Sequence, residues 1–251
     1  MKLLKEYIEN IVKSYLAEYK SGFNINYFKS IKDAKEMLKY AGDMLQTLGV
    51  GSGRAAFLLP NTNKVLKIAL RPAGIAQNEQ EASVFTNPQT QEVVTKIYDF
   101  DPEYKWLISE TAREFVTKEE FDNKVGIDFD AFVGAIQLGI NWQEDISDFV
   151  EEMYDDKTPG ERQKKINDLL NNKDFVNKAI AMKSATKTSI GDMSRVEHWG
   201  YTSDGRIVLL DYGASLEIVN KFYPKNKDFN LKSFDDPTVD TQMQTVKQGK
   251  K

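Results

Sequence analysis

The chain contains no cysteine and a single histidine, His198. Disulfides and thiolate metal sites are thereby excluded, and a His-rich metal centre or a serine–histidine triad lacks its parts. A basic excess is missing too: 34 Lys and Arg stand against 38 Asp and Glu, a formal charge of −4. That balance offers no long-range attraction to nucleic acid or to an anionic membrane. No long apolar run opens the chain. "MKLLKEYIENIVKSYLAEYK" is broken by charge every few residues, which argues against a signal peptide or a membrane span and makes a cytoplasmic protein the expectation. With 41% of its 251 residues hydrophobic and 29% charged, the chain can build one large domain or two small lobes with real cores.

What is present changes rhythm along the chain. Leu4, Ile8, Ile11, Tyr15 and Leu16 recur at helical spacing, as do Ile31, Ala34, Leu38, Ala41, Leu45 and Leu48, so two amphipathic helices are expected first. Ser30 with Asp33 three residues on resembles a capping box and predicts that the second helix starts near Ile31. From Gly49 the pattern turns to strands: "AAFLL", "KVLKIAL", "EVVTKIYDF" and "KWLISE", with "PNTN" and "DPEY" as turns. Between the two pairs, "RPAGIAQNEQEASVFTNP" reads as one helix with Asn78, Glu81 and Phe85 on a shared face. After Glu110 the pattern is mainly helical to about Lys187, apart from polar loops such as "DDKTPGE". A last hairpin, "WGYTSDGRIVLLDYG", turns at Ser203-Asp204-Gly205, and the polar stretch beyond Asp235 is expected to be loose.

Three glycines, Gly49, Gly51 and Gly53, fall within five positions. A P-loop is excluded because no Lys-Ser/Thr pair follows them, and a dinucleotide fingerprint because they lead into a hairpin rather than a helix. A glycine loop between antiparallel strands, then a strand lysine, then a helix acid, is the order used by protein kinases. Glycine lets backbone amides approach phosphate oxygens, and the lysine adds a point charge. Here the lysine is Lys67 in "VLKIA" and the acid is Glu81, with Glu79 as its rival. A lysine between Leu66 and Ile68 needs a countercharge, and Glu81 supplies one; alternatively, period two turns Lys67 outward to solvent. Farther on come Asp192, a polar loop, the strand "RIVLL" and Asp211-Tyr212-Gly213. Taken singly, Asp192 also reads as a helix-terminal or turn aspartate, and "DYG" as a plain strand-ending turn.

Together, "LGVGSGRAAF", "VLKIA", "GIAQNEQE", "HWG" and "LLDYG", in this order from Leu48 to Ser215, resemble the protein kinase-like superfamily, and in particular compact kinase-like proteins of bacteriophages. The resemblance implies an α+β, two-lobed kinase-like fold. Its N-lobe would be an antiparallel sheet with one helix at 48–110, followed by a reduced helical C-lobe at 111–234. Two extra N-terminal helices would fill 1–47, and 235–251 would be a flexible tail. It also implies ATP and Mg²⁺ as cofactors, with Gly49, Gly51, Gly53 and Lys67 on the phosphates and the backbone of Ser109, Glu110 and Thr111 at the adenine. By the same resemblance, Glu81 fixes Lys67, Asp192 serves the acceptor hydroxyl, and Asp211 with Glu197 holds metal.

The sequence departs from that pattern in places. Arg54 stands where a third glycine would fall, Ile190-Gly191 replace the His-Arg before the catalytic aspartate, and Glu197 replaces a metal-binding Asn, a position that His198 could instead take. After Gly213 only 38 residues remain and no Ala-Pro-Glu follows, so protein-substrate docking has no counterpart. Two functions are expected on this basis: a compact phosphotransferase acting on a protein or small-molecule hydroxyl, or a catalytically weak, pseudokinase-like binding or virion-associated module. Its partners would be ATP and a host or virion protein, not nucleic acid or membrane, and its place the cytoplasm of a host if the chain is viral.

Overall fold

The structure, a computed structural model, describes residues 22–140, 142, 146–188 and 190–223. The first expected helix and the expected loose tail lie outside the described residues.

A short helix, α1 (Ile25–Ser30), precedes α2 (Ala34–Met44). Ser30 closes α1, and its hydroxyl donates to the Tyr27 carbonyl at 2.7 Å. Asp33 alone caps α2, accepting from the Glu36 amide, so the helix begins three residues later than the Ser30-Asp33 pattern implies. It also ends sooner. Leu48 continues the helical period, but it lies in β1 (Gln46–Val50), which gains sheet pairing to β2 (Arg54–Leu58).

The sheet continues with β3 (Lys64–Ala69), β4 (Ile97–Phe100) and β5 (Trp106–Glu110) in the order β1-β2-β3-β5-β4, every neighbouring pair antiparallel. Period two sorts its faces. Ala55, Phe57, Leu66 and Ile68 join Phe28, Met37 and Ala41 of α1 and α2 in one buried cluster, which braces the back of the sheet. The opposite face carries Lys67, directly across from Ala56 on one side and Leu107 on the other. The helix α3 (Pro72–Thr86) packs against β3, β4 and β5. Pro72 suits its first turn, where an amide has no helical acceptor.

Of the segment "EVVTKIYDF", only Ile97 onward forms a regular strand. Val94 instead bridges to Leu209 of β8 (Ile207–Leu209), whose amide donates to the Val93 carbonyl, tying the sheet lobe to the helical one. Strands β6 (Arg113–Glu114), β7 (Trp199–Tyr201) and β8 form a second, three-stranded sheet. The β7–β8 turn includes Gly205 at φ 84°, a left-handed position that suits glycine.

The helical lobe comprises α4 (Lys118–Val125), α5 (Phe129–Leu138), α6 (Ile146–Met153), α7 (Pro159–Asn171), α8 (Lys173–Thr186) and α9 (Ile190–Met193). The stretch "DDKTPGE" is only partly loop: Thr158 and Glu161 form a capping box around Pro159, and α7 starts there. Phe115, Phe121, Phe129, Phe132 and Trp199 are buried against one another in the core of this lobe. A last helix, α10 (Leu216–Phe222), packs against α3. No helix among the described residues is long and apolar enough to cross a membrane.

Candidate functional site

Lys67 points from β3 toward α3. Its Nζ donates to Glu81 Oε1 at 3.0 Å and Oε2 at 2.7 Å, and to the Leu210 carbonyl at 3.1 Å. The alternative of a solvent-facing Lys67 is thereby excluded. Glu81 is completely buried, a position tolerable for a carboxylate only when cations meet it. A second cation does. Arg54, at the start of β2, places Nη1 2.7 Å from Glu81 Oε1 and 3.3 Å from Asn78 Oδ1, and Nη2 2.8 Å from Asp211 Oδ1. Asn78 is fixed in turn, its Nδ2 donating to the Tyr104 carbonyl at 2.8 Å.

Asp211 follows β8 and is half exposed. Burial pushes its carboxyl up, but Arg54, then Lys67 and His198, outweigh that and hold it below the ordinary value. Tyr212 beside it is fully buried, and its hydroxyl donates to the Thr95 carbonyl at 2.8 Å, an acceptor that a Phe here would not need. Gly213 lies against α3: a Cβ there would stand 2.8 Å from the Gln77 carbonyl oxygen. The segment thus seats on the same helix that carries Glu81.

Asp192 lies in α9, close enough to Asp211 to feel its charge. Burial first, and then Asp211, raise its carboxyl above the usual range, against the opposing pull of His198 and Arg195. His198 Nδ1 is 3.9 Å from Asp192 Oδ1, beyond hydrogen-bond reach, and is buried without a hydrogen-bond partner among the described residues. The His198 carbonyl accepts from the Leu210 amide at 2.7 Å, which holds this turn beside the end of β8.

Other residues of the expected site are placed differently. Glu197 accepts from Arg195 Nε at 2.9 Å and Nη2 at 2.7 Å; its own backbone amide first, and then Arg195, hold its carboxyl low, and the pair turns it to a neighbour rather than to a metal shared with Asp211. Among the described residues, no group of three or more His, Cys, Asp or Glu could hold a metal ion. Mg²⁺ needs only one or two carboxylates beside phosphate oxygens, but Arg54 already stands on Asp211 and Arg195 on Glu197, so these two acids as placed do not fit Mg²⁺.

The expected adenine edge is also engaged. The Glu110 amide donates to the Lys96 carbonyl at 2.8 Å, and Thr111 prolongs the sheet by donating to the Asn63 carbonyl at 3.0 Å, while Ser109 is buried between Val65 and Ile97. The Glu110 side chain meets Arg206 and, at 3.8 Å, Lys96. Arg206 also lies 3.3 Å from Asp204, whose carboxyl is held down at about 2, chiefly by the Thr202 hydroxyl.

In the glycine loop, the Gly51 amide donates to the Arg54 carbonyl at 2.8 Å, and Gly49 sits in β1 beside a register shift, with open space around it. Gly53 is drawn toward α3: its carbonyl accepts from the Leu70 amide at 2.8 Å, and a Cβ on Gly74 would come within 2.0 Å of that oxygen.

Arg54 is the principal residue that reading the sequence missed. A signal existed: if Lys67 faces Ala56 across the β2–β3 pair, Arg54, two residues away on β2, shares the lysine's face.

A glycine turn between β1 and β2, a lysine on β3 paired to an acid on the next helix, and an aspartate just past β8 stand together in one α+β chain, in the order that the sequence resemblance implies. No protein-family model and no curated protein matches the chain. Among solved structures, the streptomycin–ATP ternary complex of APH(2")-IIa aligns over 73% of this chain and 72% of that one, at 10% identity and a TM-score of 0.33.

Proposed function

We propose that the chain is an ATP-dependent phosphotransferase acting on a hydroxyl of a protein or a small molecule. The observation that supports this reading is the Lys67–Glu81 pair of the sheet lobe, joined through Arg54 to Asp211, with Asp192 near enough to Asp211 to feel its charge. In this reading Lys67 leaves the Leu210 carbonyl to meet phosphate oxygens while Glu81 keeps it in place, and the glycine-loop amides line the same phosphates. The acceptor hydroxyl gives its proton to the Asp192 carboxylate. Its oxygen forms a bond to the terminal phosphorus, and the bridging P–O bond breaks with its electron pair leaving on ADP. A carboxyl raised above its ordinary value is the better base for that step, and a positioned base contributes about 10²–10⁴-fold.

A second reading, a nucleotide-binding module without transfer, is favoured by the guanidinium on Asp211 and by the engagement of Glu197 with Arg195. The two separate in one experiment. ATP at 100 times its Kd stabilises a binding protein by about 2.7 kcal/mol, or roughly 5–11 °C in melting temperature at this size. Stabilisation with transfer to an acceptor or to the chain itself, the transfer alone being lost in Asp192→Ala, is the result expected. Stabilisation without transfer in the parent leaves the binding module, and no stabilisation by ATP removes both readings.

A further inference from the structure

We propose that Arg54 takes the place of a divalent cation at Asp211 and excludes metal from that carboxylate. The inference rests on the reading above, in which Asp211 lies at the phosphate end of the cleft, and it grows from the misfit between the site and Mg²⁺.

The β2–β3 register puts Arg54 on the face of Lys67, and its guanidinium spans the two carboxylates that matter, Glu81 at 2.7 Å and Asp211 at 2.8 Å. Only 11% of the Arg54 side chain is exposed, and little water screens its contact with the fully buried Glu81, which anchors it beside the half-exposed Asp211. The cluster is balanced as it stands: Lys67 and Arg54 against Glu81 and Asp211. A divalent ion brought to Asp211 would meet a guanidinium that cannot lose its proton, held in place by Glu81 and Asn78. The second acid expected to ligate metal, Glu197, is committed to Arg195.

The arrangement has a consequence for ligands. A guanidinium fork that fits a carboxylate fits a phosphate equally well, so an incoming phosphate competes with Asp211 for Arg54. The cleft therefore offers nucleotide phosphate two tethered cations, Lys67 and Arg54, in place of one lysine and a metal.

The test uses the full chain and Mn²⁺ as a paramagnetic probe, read by electron paramagnetic resonance without nucleotide. The parent is expected to retain no Mn²⁺ that depends on Asp211. Arg54→Gln is expected to gain an Mn²⁺ site at least about 5–150-fold tighter than any residual binding by the parent, the usual size of coupling between neighbouring sites, and Asp211→Asn in that background should abolish the gain. Arg54→Lys, which keeps the charge, should still exclude the ion. Mn²⁺ bound by the parent and released by Asp211→Asn alone overturns the proposal, even if Arg54→Gln fails to fold. A folded Arg54→Gln with no gain overturns it as well. ATP affinity in the parent, measured with chelator and with Mg²⁺, is expected to be equal. A parent that binds no ATP in either condition removes the nucleotide function, while the Mn²⁺ result still decides what Arg54 does.

Discussion

Replacing Glu81 by glutamine keeps the side chain's shape and deletes a charge that has no solvent exposure. Its two oxygens meet Lys67 at 3.0 and 2.7 Å and Arg54 at 2.7 Å, so the variant leaves two cations, 14% and 11% exposed, with Asp211 as the remaining acid in the cluster. Removing one partner of a buried pair costs about 3–5 kcal/mol, and because Asp211 still balances Arg54 the low end, about 3 kcal/mol, is expected. At this chain length that lowers the melting temperature by roughly 6–12 °C. Lys67→Met should cost less, about 1–2 kcal/mol, because Glu81 keeps Arg54 and the principal loss is a set of hydrogen bonds. The double variant should cost less than the two singles together, by about 0.5–3 kcal/mol, since neither change then orphans the other's charge. Urea unfolding followed by circular dichroism, at low and high salt, measures all three, and burial predicts little salt dependence. A Glu81→Gln loss below about 1 kcal/mol, or a Lys67→Met loss as large as that of Glu81→Gln, would refute the view that two cations hold this carboxylate.

Asp192 should trade stability for chemistry. Its folded-state value lies above the ordinary one, so ionised Asp192 works against the fold. That penalty is absent below the unfolded value and complete once pH passes the folded one. Asp192→Asn should therefore raise the melting temperature at neutral pH, with the gain vanishing below about pH 4; a gain that persists in acid contradicts the assignment. Gly213→Ala drives a Cβ to 2.8 Å from the Gln77 carbonyl oxygen and 3.0 Å from Gln77 Cβ. A loss of about 1–3 kcal/mol is expected from the resulting shift of α3, read from the urea midpoint. Arg206→Ala strips the buried Glu110 of its nearest cation and leaves Lys96 at 3.8 Å. A loss of about 1–3 kcal/mol in the same assay is expected, and no change would mean that the clamp between β5 and the β7–β8 hairpin is inert.

Short-range patterns were legible where one periodicity ruled. The alternation around Phe57 and Leu66, the helix from Pro72 to Thr86, and the Ser203–Gly205 turn need only local rules, and all stand close to where the sequence places them. The pairing of Lys67 with Glu81 was one of two readings left open by period two; the packing of α3 on the face opposite Leu66 and Ile68 decided it. Leu48 and "DDKTPGE" show the limit: there helical period and loop composition were outweighed by pairing with β2 and by a proline-led cap.

The sequence by itself determined the order of the elements and the identity of the charges, since both follow from neighbours a few positions apart. Only the tertiary structure decided how those charges are shared. Arg54 and Asp211 are 157 positions apart in the chain and meet through the packing of one lobe on the other, while Glu197 is lost to an arginine two residues away and the Thr111 amide to the carbonyl of Asn63. Electrostatic partnership depends on distance in space and on the exclusion of water, and no local pattern encodes either.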